Sequence, residues 1–384
     1  MGRWRVIPAL RDNKPHDSGS RAGRRTAVAA SAALFAATAM AFLGSTPASA
    51  QPTLCFGRSA TNSGSTTGTP GNDVIIGTAG ADTIDGLGGN DLICGLGGDD
   101  HLIGGPGNDQ IDGGDGNDDI VGDSFLSTGD VTGSTGKDTL LGGPGDDSEV
   151  GDNYASFGDA RGASHDTLLG GPGHDTMIGD TRGDHAIGGA NDRLEGGDDD
   201  DSLIGDSLGV YTATGAGNDV LLEGPGAFGD ATGDSASVVG SASGAGGNDT
   251  IDMGADGGFF AIGDHAVQTT ATGSGNDHIT GGAAGELEII GDSSVVDATG
   301  ATAGNDVITA RGGDDTVFGD NAAFNPATGL FESVNTAGGN DHMEGGDGND
   351  ALYGGPGNDF LDGGPGTNTC DGDGGHNTLV DCGT

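Results

Sequence analysis

The chain repeats with a period of nine residues between Gly71 and Asp123, and this period limits the possible folds more than any other feature of the sequence. Each unit contains one aspartate: Asp73, Asp82, Asp91, Asp100, Asp109 and Asp118. Two positions after each aspartate lies an aliphatic residue: Ile75, Ile84, Ile93, Leu102, Ile111 and Ile120. A fixed period of this kind predicts an array in which every unit packs on its neighbours.

The unit reads Gly-Gly-x-Gly-x-Asp-x-aliphatic-x, as in residues 104–112. Glycine tolerates the positive φ angles of tight turns and lets carbonyl oxygens approach an ion closely. The x-aliphatic-x triplet predicts a short strand whose central side chain points inward. One such strand buries little, but a stack of them forms a continuous aliphatic core. The sequence therefore predicts an all-β fold of stacked short strands.

Further copies of the unit follow Asp123. Those that retain a second aspartate nine residues away lie at Asp138, Asp147, Asp166, Asp175, Asp192, Asp201, Asp306, Asp315, Asp341, Asp350 and Asp359. Isolated copies lie at Asp219, Asp249 and Asp277. The positions nine residues after these three are Phe228, Gly258 and Glu286, so the pattern fails there.

The tandem units resemble the RTX, or haemolysin-type, calcium-binding nonapeptide repeat. The resemblance implies a right-handed parallel β-roll, a β-helix-like solenoid in which two nonapeptides form one turn. It implies several Ca²⁺ ions between successive turns, bound by aspartate carboxylates and backbone carbonyls in shells of about six to eight oxygens. One row of ligands then contains Asp73, Asp91 and Asp109, and the opposite row contains Asp82, Asp100 and Asp118. The implied metal ligands are Asp73, Asp82, Asp91, Asp100, Asp109, Asp118, Asp138, Asp147, Asp166, Asp175, Asp192, Asp201, Asp306, Asp315, Asp341, Asp350 and Asp359.

The same rule pairs Asp341 with Asp359 and Asp350 with Asn368 near the end of the sequence. Asn368 lacks the negative charge of the aspartates that precede it. We therefore expect the site that contains Asn368 to be weaker or empty.

The middle of the chain departs from the nine-residue period in a regular way. A Gly-Asp step recurs at spacings of 24 to 34 residues: Asp123, Asp152, Asp180, Asp206, Asp230, Asp264, Asp292 and Asp320. These spacings fit two nonapeptides plus an insert of about ten residues rich in Thr, Ala, Ser and Val, which favour strands. The inserts predict either a third strand in each coil or loops that protrude on one side. Their aromatic residues either form a binding face or cover the enlarged core.

Residues 1–50 have a different composition from the rest of the chain. Seven basic residues precede an apolar run from Ala27 to Leu43, and Ala48-Ser49-Ala50 follows, which predicts a cleaved export signal of Sec or twin-arginine type. No later apolar run is long enough to span a bilayer. The sequence then predicts six segments: signal peptide 1–50, cap or linker 51–70, regular repeats 71–123, enlarged coils of about 28 residues 124–338, regular repeats 339–368 and C-terminal cap 369–384.

Residues 51–384 retain six of the 13 Lys and Arg residues and 57 of the 59 Asp and Glu residues, a formal charge of −51. A chain this acidic repels nucleic acid and repels itself when compact. We therefore expect it to bind counter-cations, calcium first among them, with cell-surface or matrix polymers as further partners.

Four cysteines remain after the signal segment, an even number that favours two disulfides in an exported protein. Three pairings are possible. The pairing Cys55 with Cys94 and Cys370 with Cys382 is preferred because each pair lies at one end of the repeat array, where a crosslink prevents fraying. Four free thiols are the alternative.

The sequence offers no set of catalytic residues outside the repeat pattern, so we do not expect an enzyme. Five of the nine histidines occupy variable positions next to repeat aspartates: His101, His165, His174, His278 and His342. The preferred function is that of a secreted calcium-binding protein with a structural, cell-surface or adhesive role. The alternatives are the accessory part of a secreted enzyme or toxin, and a binder of sugars or ice. The last rests on Ala-Thr-Gly triplets that begin at Ala213, Ala231, Ala271, Ala298 and Ala327.

Overall fold

The fold is described from a computed structural model, which covers residues 54–61, 66–226, 228–283, 288–325, 327–334 and 338–383. Every regular element in these ranges is a β-strand, so no helix there is available to cross a membrane. The predicted export signal lies outside the described residues. The strands form three long sheets and one short hairpin.

The first sheet contains thirteen strands, all joined in parallel pairs. Its strands are β3 (Val74–Ile76), β5 (Leu92–Gly97), β7 (Gln110–Asp115), β11 (Thr139–Leu141), β15 (Thr167–Pro172), β18 (Arg193–Asp198), β21 (Val220–Leu222), β25 (Thr250–Asp252), β29 (His278–Thr280), β32 (Val307–Thr309), β36 (His342–Glu344), β38 (Phe360–Asp362) and β40 (Thr378–Val380).

The second sheet contains twelve strands, also in parallel. Its strands are β4 (Thr83–Asp85), β6 (His101–Ile103), β8 (Asp119–Val121), β12 (Ser148–Val150), β16 (Thr176–Ile178), β19 (Ser202–Ile204), β22 (Asp230–Thr232), β26 (Phe260–Ile262), β30 (Glu288–Ile290), β33 (Thr316–Phe318), β37 (Ala351–Tyr353) and β39 (Thr369–Asp371). Strands of the first and second sheets alternate along the chain, which confirms the predicted β-solenoid.

The inserts form the third sheet, called the insert sheet below, so the predicted third strand in each coil is present. Its strands are β9 (Phe125–Leu126), β10 (Val131–Thr132), β13 (Tyr154–Ala155), β14 (Ala160–Arg161), β17 (Arg182–Ile187), β20 (Leu208–Thr214), β23 (Ala236–Ser237), β24 (Ser241–Ser243), β27 (Ala266–Val267), β28 (Ala271–Thr272), β31 (Ser294–Val295), β34 (Ala322–Asn325) and β35 (Leu330–Ser333). Only β34 and β35 pair in antiparallel within it. The remaining strands, β1 (Leu54–Cys55) and β2 (Arg58–Ser59), form an antiparallel hairpin.

The core follows from the one inward side chain of each short strand. In the first sheet, Ile75, Ile93 and Ile111 lie in register on consecutive strands and are fully buried. The second sheet faces it with Ile84, Leu102 and others in the same aliphatic cluster. Most coils therefore bury one aliphatic side chain from each of these two sheets, and the column of such contacts along the axis excludes water.

The insert sheet contributes a narrower column of small side chains. Ala160, Ala186, Ala213, Ala242 and Ala271 occupy equivalent register positions on successive strands, and all are buried. The alanines keep the insert sheet close to the axis because their side chains end at Cβ. The widened coils therefore gain a third wall without a large additional core.

Two disulfides crosslink the ends of the array, and their pairing is the one preferred from the sequence. Cys55 in the N-terminal hairpin is joined to Cys94 in β5, with Cα atoms 5.7 Å apart. Cys370 in β39 is joined to Cys382 just after β40, with Cα atoms 5.6 Å apart. Each bond ties a terminal segment to a strand of the stack, which opposes fraying of the exposed last coil.

The Gly-Asp steps lie between the second sheet and the insert sheet, and one of the predicted steps was wrong. The backbone N–H of Asp206 donates to the carbonyl of Asp234, and that of Asp234 donates to Asp264, so Gly233-Asp234 continues the series. Asp230 instead begins β22 in the second sheet. With Asp234, the spacings around it become 28 and 30 residues, close to the rest of the series. We call the aligned set the third row: Asp123, Asp152, Asp180, Asp206, Asp234, Asp264, Asp292 and Asp320.

The Ala-Thr-Gly triplets do not all share a face. Thr232 is buried in β22 of the second sheet, whereas Thr272 is exposed at the end of β28 in the insert sheet. Thr328 lies in the turn between β34 and β35. The flat threonine surface on which the sugar- or ice-binding alternative depended is therefore not formed by these triplets.

Candidate metal centre

One acidic residue immediately precedes each strand of the first sheet, except the last strand, which Asn377 precedes. The backbone N–H of each donates to Oδ1 of the residue one coil further on, at 2.7 to 3.1 Å. We call this ladder the first row: Asp73, Asp91, Asp109, Asp138, Asp166, Asp192, Asp219, Asp249, Asp277, Asp306, Asp341, Asp359 and Asn377. The separation is 18 residues in the regular ends and 26 to 35 residues in the middle, yet the contact is the same.

A second ladder precedes the strands of the second sheet and is called the second row. Its first part contains Asp82, Asp100, Asp118, Asp147, Asp175 and Asp201, and its last part contains Asp315, Asp350 and Asn368. All seventeen aspartates predicted as ligands lie in one of these two rows. The predicted separation of 18 residues between like positions is confirmed in the regular ends; the role of these residues as calcium ligands stays a prediction.

The second carboxylate oxygen of most row members has no hydrogen-bond partner within the described residues. Oδ2 of Asp91, Asp109 and Asp118 is buried in this way, while Oδ1 accepts a backbone N–H. A buried ionised carboxylate oxygen without a donor costs several kcal/mol unless a cation compensates it. A cation bound in the rows would therefore lie next to the unpaired Oδ2 atoms.

Glycines leave room for an ion beside these oxygens. A Cβ atom placed on Gly104 would overlap both the carbonyl oxygen of Gly122, one coil further on, and Oδ2 of Asp109. Gly86 stands in the same relation to the carbonyl of Gly104 and to Oδ2 of Asp91. The glycines thus allow a carbonyl and a carboxylate oxygen to converge, and hard oxygen ligands of these two kinds are what Ca²⁺ prefers. The residues present fit calcium.

Burial and neighbouring negative charges raise the pKa of most row aspartates. Burial raises the pKa of Asp109 to about 7 and that of Asp201 to about 8. Burial and the neighbouring Asp166 raise the pKa of Asp138 to about 11. Asp73 at the open end differs, because hydrogen bonds from Thr69 and Thr61 outweigh its desolvation and lower its pKa. The interior of the array is therefore poised to bind cations, whether protons or metal ions.

We expect the calcium-free protein to lose stability as pH rises from about 4 to about 8. In the unfolded chain, row carboxyls titrate near their ordinary value of 3.8, whereas in the fold Asp109 and Asp201 keep their protons to about 7 and 8. Over this interval the unfolded state binds fewer protons, so the free energy of unfolding falls with increasing pH. Chemical denaturation of protein stripped of calcium beforehand, followed by circular dichroism at each pH, measures this free energy. Stability that increases with pH would contradict the prediction.

Glu149 is an acidic exception within the aliphatic column. It lies in β12 in register with Ile120 and Met177, is fully buried, and has no hydrogen-bond partner for either carboxylate oxygen within the described residues. Burial and the nearby Asp175 raise its pKa well above the ordinary value. This buried position therefore favours the protonated form of Glu149.

The structure adds to the first row the three isolated aspartates, at which the sequence pattern failed. Asp219, Asp249 and Asp277 are buried and continue the ladder without interruption. A second aspartate nine residues away would belong to the opposite row, whereas the next aspartate of the same row lies 28 to 30 residues away. The sequence signal that identifies these three aspartates is the Asn-Asp dipeptide at 218–219, 248–249 and 276–277.

Glu223 replaces a missing second-row aspartate. The equivalent position before β22 is Gly229, which has no side chain, and Oε1 of Glu223 accepts the N–H of Asp201 at 2.8 Å. A Cβ on Gly229 would overlap the Glu223 carboxylate, so the glutamate occupies the space that the aspartate would fill. Before β26 the position is Phe259, and the second row is interrupted there.

Both rows end on a neutral amide. The N–H of Asp350 donates to Oδ1 of Asn368 at 2.9 Å, and that of Asp359 donates to Oδ1 of Asn377 at 2.8 Å. The pairing of Asp350 with Asn368 is the one predicted from the sequence. Asn377 was not predicted, and it shows that asparagine retains the ladder contact without the charge.

The sequence matches the profile of one protein family, described as the RTX calcium-binding nonapeptide repeat. The matched segments are 67–102, 95–125, 130–148, 162–181, 187–207, 271–284, 301–322, 332–361 and 344–379. Together they cover more than half of the chain. The first row continues through Asp219 and Asp249, which lie outside the matched segments. No curated protein shows significant similarity to the chain.

Proposed function

The chain belongs to the family of RTX calcium-binding nonapeptide repeats, and from this premise we propose that it is a secreted calcium-binding protein that folds when it binds calcium and has a structural or adhesive role outside the cell. The supporting observation is the pair of carboxylate ladders in which most Oδ2 atoms are buried and lack a hydrogen-bond partner within the described residues. These ladders run along the same axis as the hydrophobic core, so calcium bound in the rows would hold consecutive coils together.

Calcium bound in the rows would supply positive charge between consecutive coils, and the chain would supply the ligands. Carboxylates of the first and second rows would hold the ions, with loop carbonyls such as that of Gly122 completing the shells. Ion binding and folding are coupled because the sites exist only when neighbouring coils are stacked. The cytosol keeps free calcium low, so a chain of this design folds after export.

Secretion and a non-catalytic role are parts of the same proposal. Two disulfides suit an oxidising compartment, and the predicted export signal of residues 1–50 leads there. The buried acidic residues of the described ranges belong mainly to repeating rows, which suits a rod with mechanical stiffness. Cell-surface or matrix polymers are the partners that we propose for such a rod, and the exposed surface of the insert sheet, including Tyr211, is available to them.

Isothermal titration calorimetry of the protein from residue 51 onward tests the calcium part of the proposal. We expect cooperative binding of more than about four ions per chain, accompanied by a gain of β-structure. Fewer ions, or binding without a change in structure, would count against it. Fractionation of the producing cells tests the location, since we expect the processed chain in the medium or on the cell surface and not in the cytosol.

A further inference from the structure

The third row adds one aspartate to each widened coil, near the first-row aspartate of the same coil. Its members are nearly or completely buried. In several coils the third-row carboxylate accepts the backbone N–H of the residue two before the first-row aspartate, as Asp206 does from Gly217 at 3.1 Å and Asp292 does from Gly304 at 2.7 Å. This contact closes the insert and brings the two carboxylates of each coil together.

Two groups of three carboxylates converge closely. Ligand oxygens of Asp180, Asp192 and Asp206 lie within 4.8 Å of one another, and so do those of Asp206, Asp219 and Asp234. Each group combines two third-row residues from consecutive coils with one first-row residue. Asp206 belongs to both groups, so the groups form a continuous column rather than separate clusters.

Three of the five carboxylates in these groups have one oxygen without a hydrogen-bond partner within the described residues. Oδ1 of Asp206 and Oδ2 of Asp192 and Asp219 are buried and make no hydrogen bond within the described residues. Among the same residues, no Lys or Arg forms an ion pair with either group, and the nearest base is His265, whose Nδ1 lies 3.9 Å from Oδ2 of Asp234. Three converging carboxylates with no Lys or Arg beside them favour a bound cation.

Backbone carbonyls complete the surroundings. A Cβ on Gly205 would overlap the carbonyl oxygen of Gly233 and Oδ2 of Asp219, and Gly179 has the same relation to the carbonyl of Gly205 and to Asp192. In the regular coils the corresponding glycine is followed by a residue other than aspartate, for example Leu87 after Gly86. The widened coils therefore keep the carbonyl and the first-row carboxylate and add a third-row carboxylate.

We propose that the widened coils hold a second class of site for a hard divalent cation, calcium, between the first and third rows. Each such site has three carboxylates per ion, including a third-row aspartate that the nonapeptide motif does not contain. The proposal rests on the proposed function for the identity of the ion. More carboxylates per ion raise the affinity for calcium. These sites therefore fill at lower free calcium than those of the second row.

Equilibrium dialysis with radioactive calcium on the Asp206→Asn variant tests the proposal. Asparagine keeps the acceptor for the Gly217 N–H and removes a charge shared by both groups, so we expect a loss of one or two ions per chain at free calcium that saturates the native protein. The Asp256→Asn variant, which changes an exposed residue of the same region, is the matched control and should bind as many ions as the native chain.

Crystals of the native protein grown in calcium give a test that does not depend on folding of the variant. We expect anomalous scattering peaks between Asp206, Asp219 and Asp234. Peaks in the second row alone, together with unchanged ion binding by Asp206→Asn, would overturn this inference and leave the proposed function intact. Peaks in neither place would overturn both.

Discussion

Chelation of calcium with EGTA at neutral pH is expected to abolish most of the β-sheet signal in the far-ultraviolet circular dichroism of the protein, and added calcium is expected to restore it. The reason is the density of buried negative charge. Most first- and second-row aspartates are nearly or fully buried, and the third row adds eight more acidic residues to the middle of the chain. Without cations, the compact state must either protonate these groups or carry their repulsion.

Magnesium is the control for this experiment. It prefers six ligands in strict octahedral geometry and loses its waters reluctantly, so loops that supply carbonyl and carboxylate oxygens at fixed positions suit calcium better. We expect magnesium at the same concentration to restore much less β-structure. A spectrum that is the same with and without EGTA would refute the coupling of folding to calcium.

The Ile251→Asp variant is expected to lower the free energy of unfolding by about 4 kcal/mol or more at saturating calcium. Ile251 is the central residue of β25, is fully buried, and lies in register between Leu221 and Ile279. The substitution removes an aliphatic side chain from the core column and places an unpaired carboxylate there. Because each coil contacts only its neighbours along the axis, the defect interrupts the column at its middle.

Thr250→Asp is the matched control, since it introduces the same side chain one position earlier in the same strand. Thr250 is exposed, so we expect a change of about 1 kcal/mol or less. Chemical denaturation followed by circular dichroism measures both variants. Similar losses for Ile251→Asp and Thr250→Asp would show that the inward column does not hold the array together.

The sequence was sufficient to predict the regular ends of the fold because their ligands and core residues recur at one spacing. Asp91 and Ile93 have counterparts 18 residues away, so both the ladder and the core column could be read directly. The disulfide pairing followed from the position of the cysteines at the ends of the array. Where the spacing is constant, a search along the sequence is equivalent to a search along the solenoid axis.

The middle was harder to predict because contacts there join residues separated by variable lengths of chain. Asp230 was assigned to the Gly-Asp series in place of Asp234, since both follow glycine and only the backbone pairing with Asp206 and Asp264 distinguishes them. Glu223 could not be recognised either, because it reaches the ladder from a position that the motif does not define. These residues are identified by their neighbours in space.

The hydrogen bond of the first row is indifferent to how much chain lies between its partners. Asp73 and Asp91 are 18 residues apart and Asp306 and Asp341 are 35 apart, yet each pair makes the same contact at 2.7 and 2.9 Å. A segment gained or lost between two row positions therefore leaves the contacts along the axis unchanged, provided that the chain returns to the same row. Coils of this array can be lengthened, duplicated or deleted as whole modules, so related chains that differ greatly in length can preserve one pattern of carboxylate contacts.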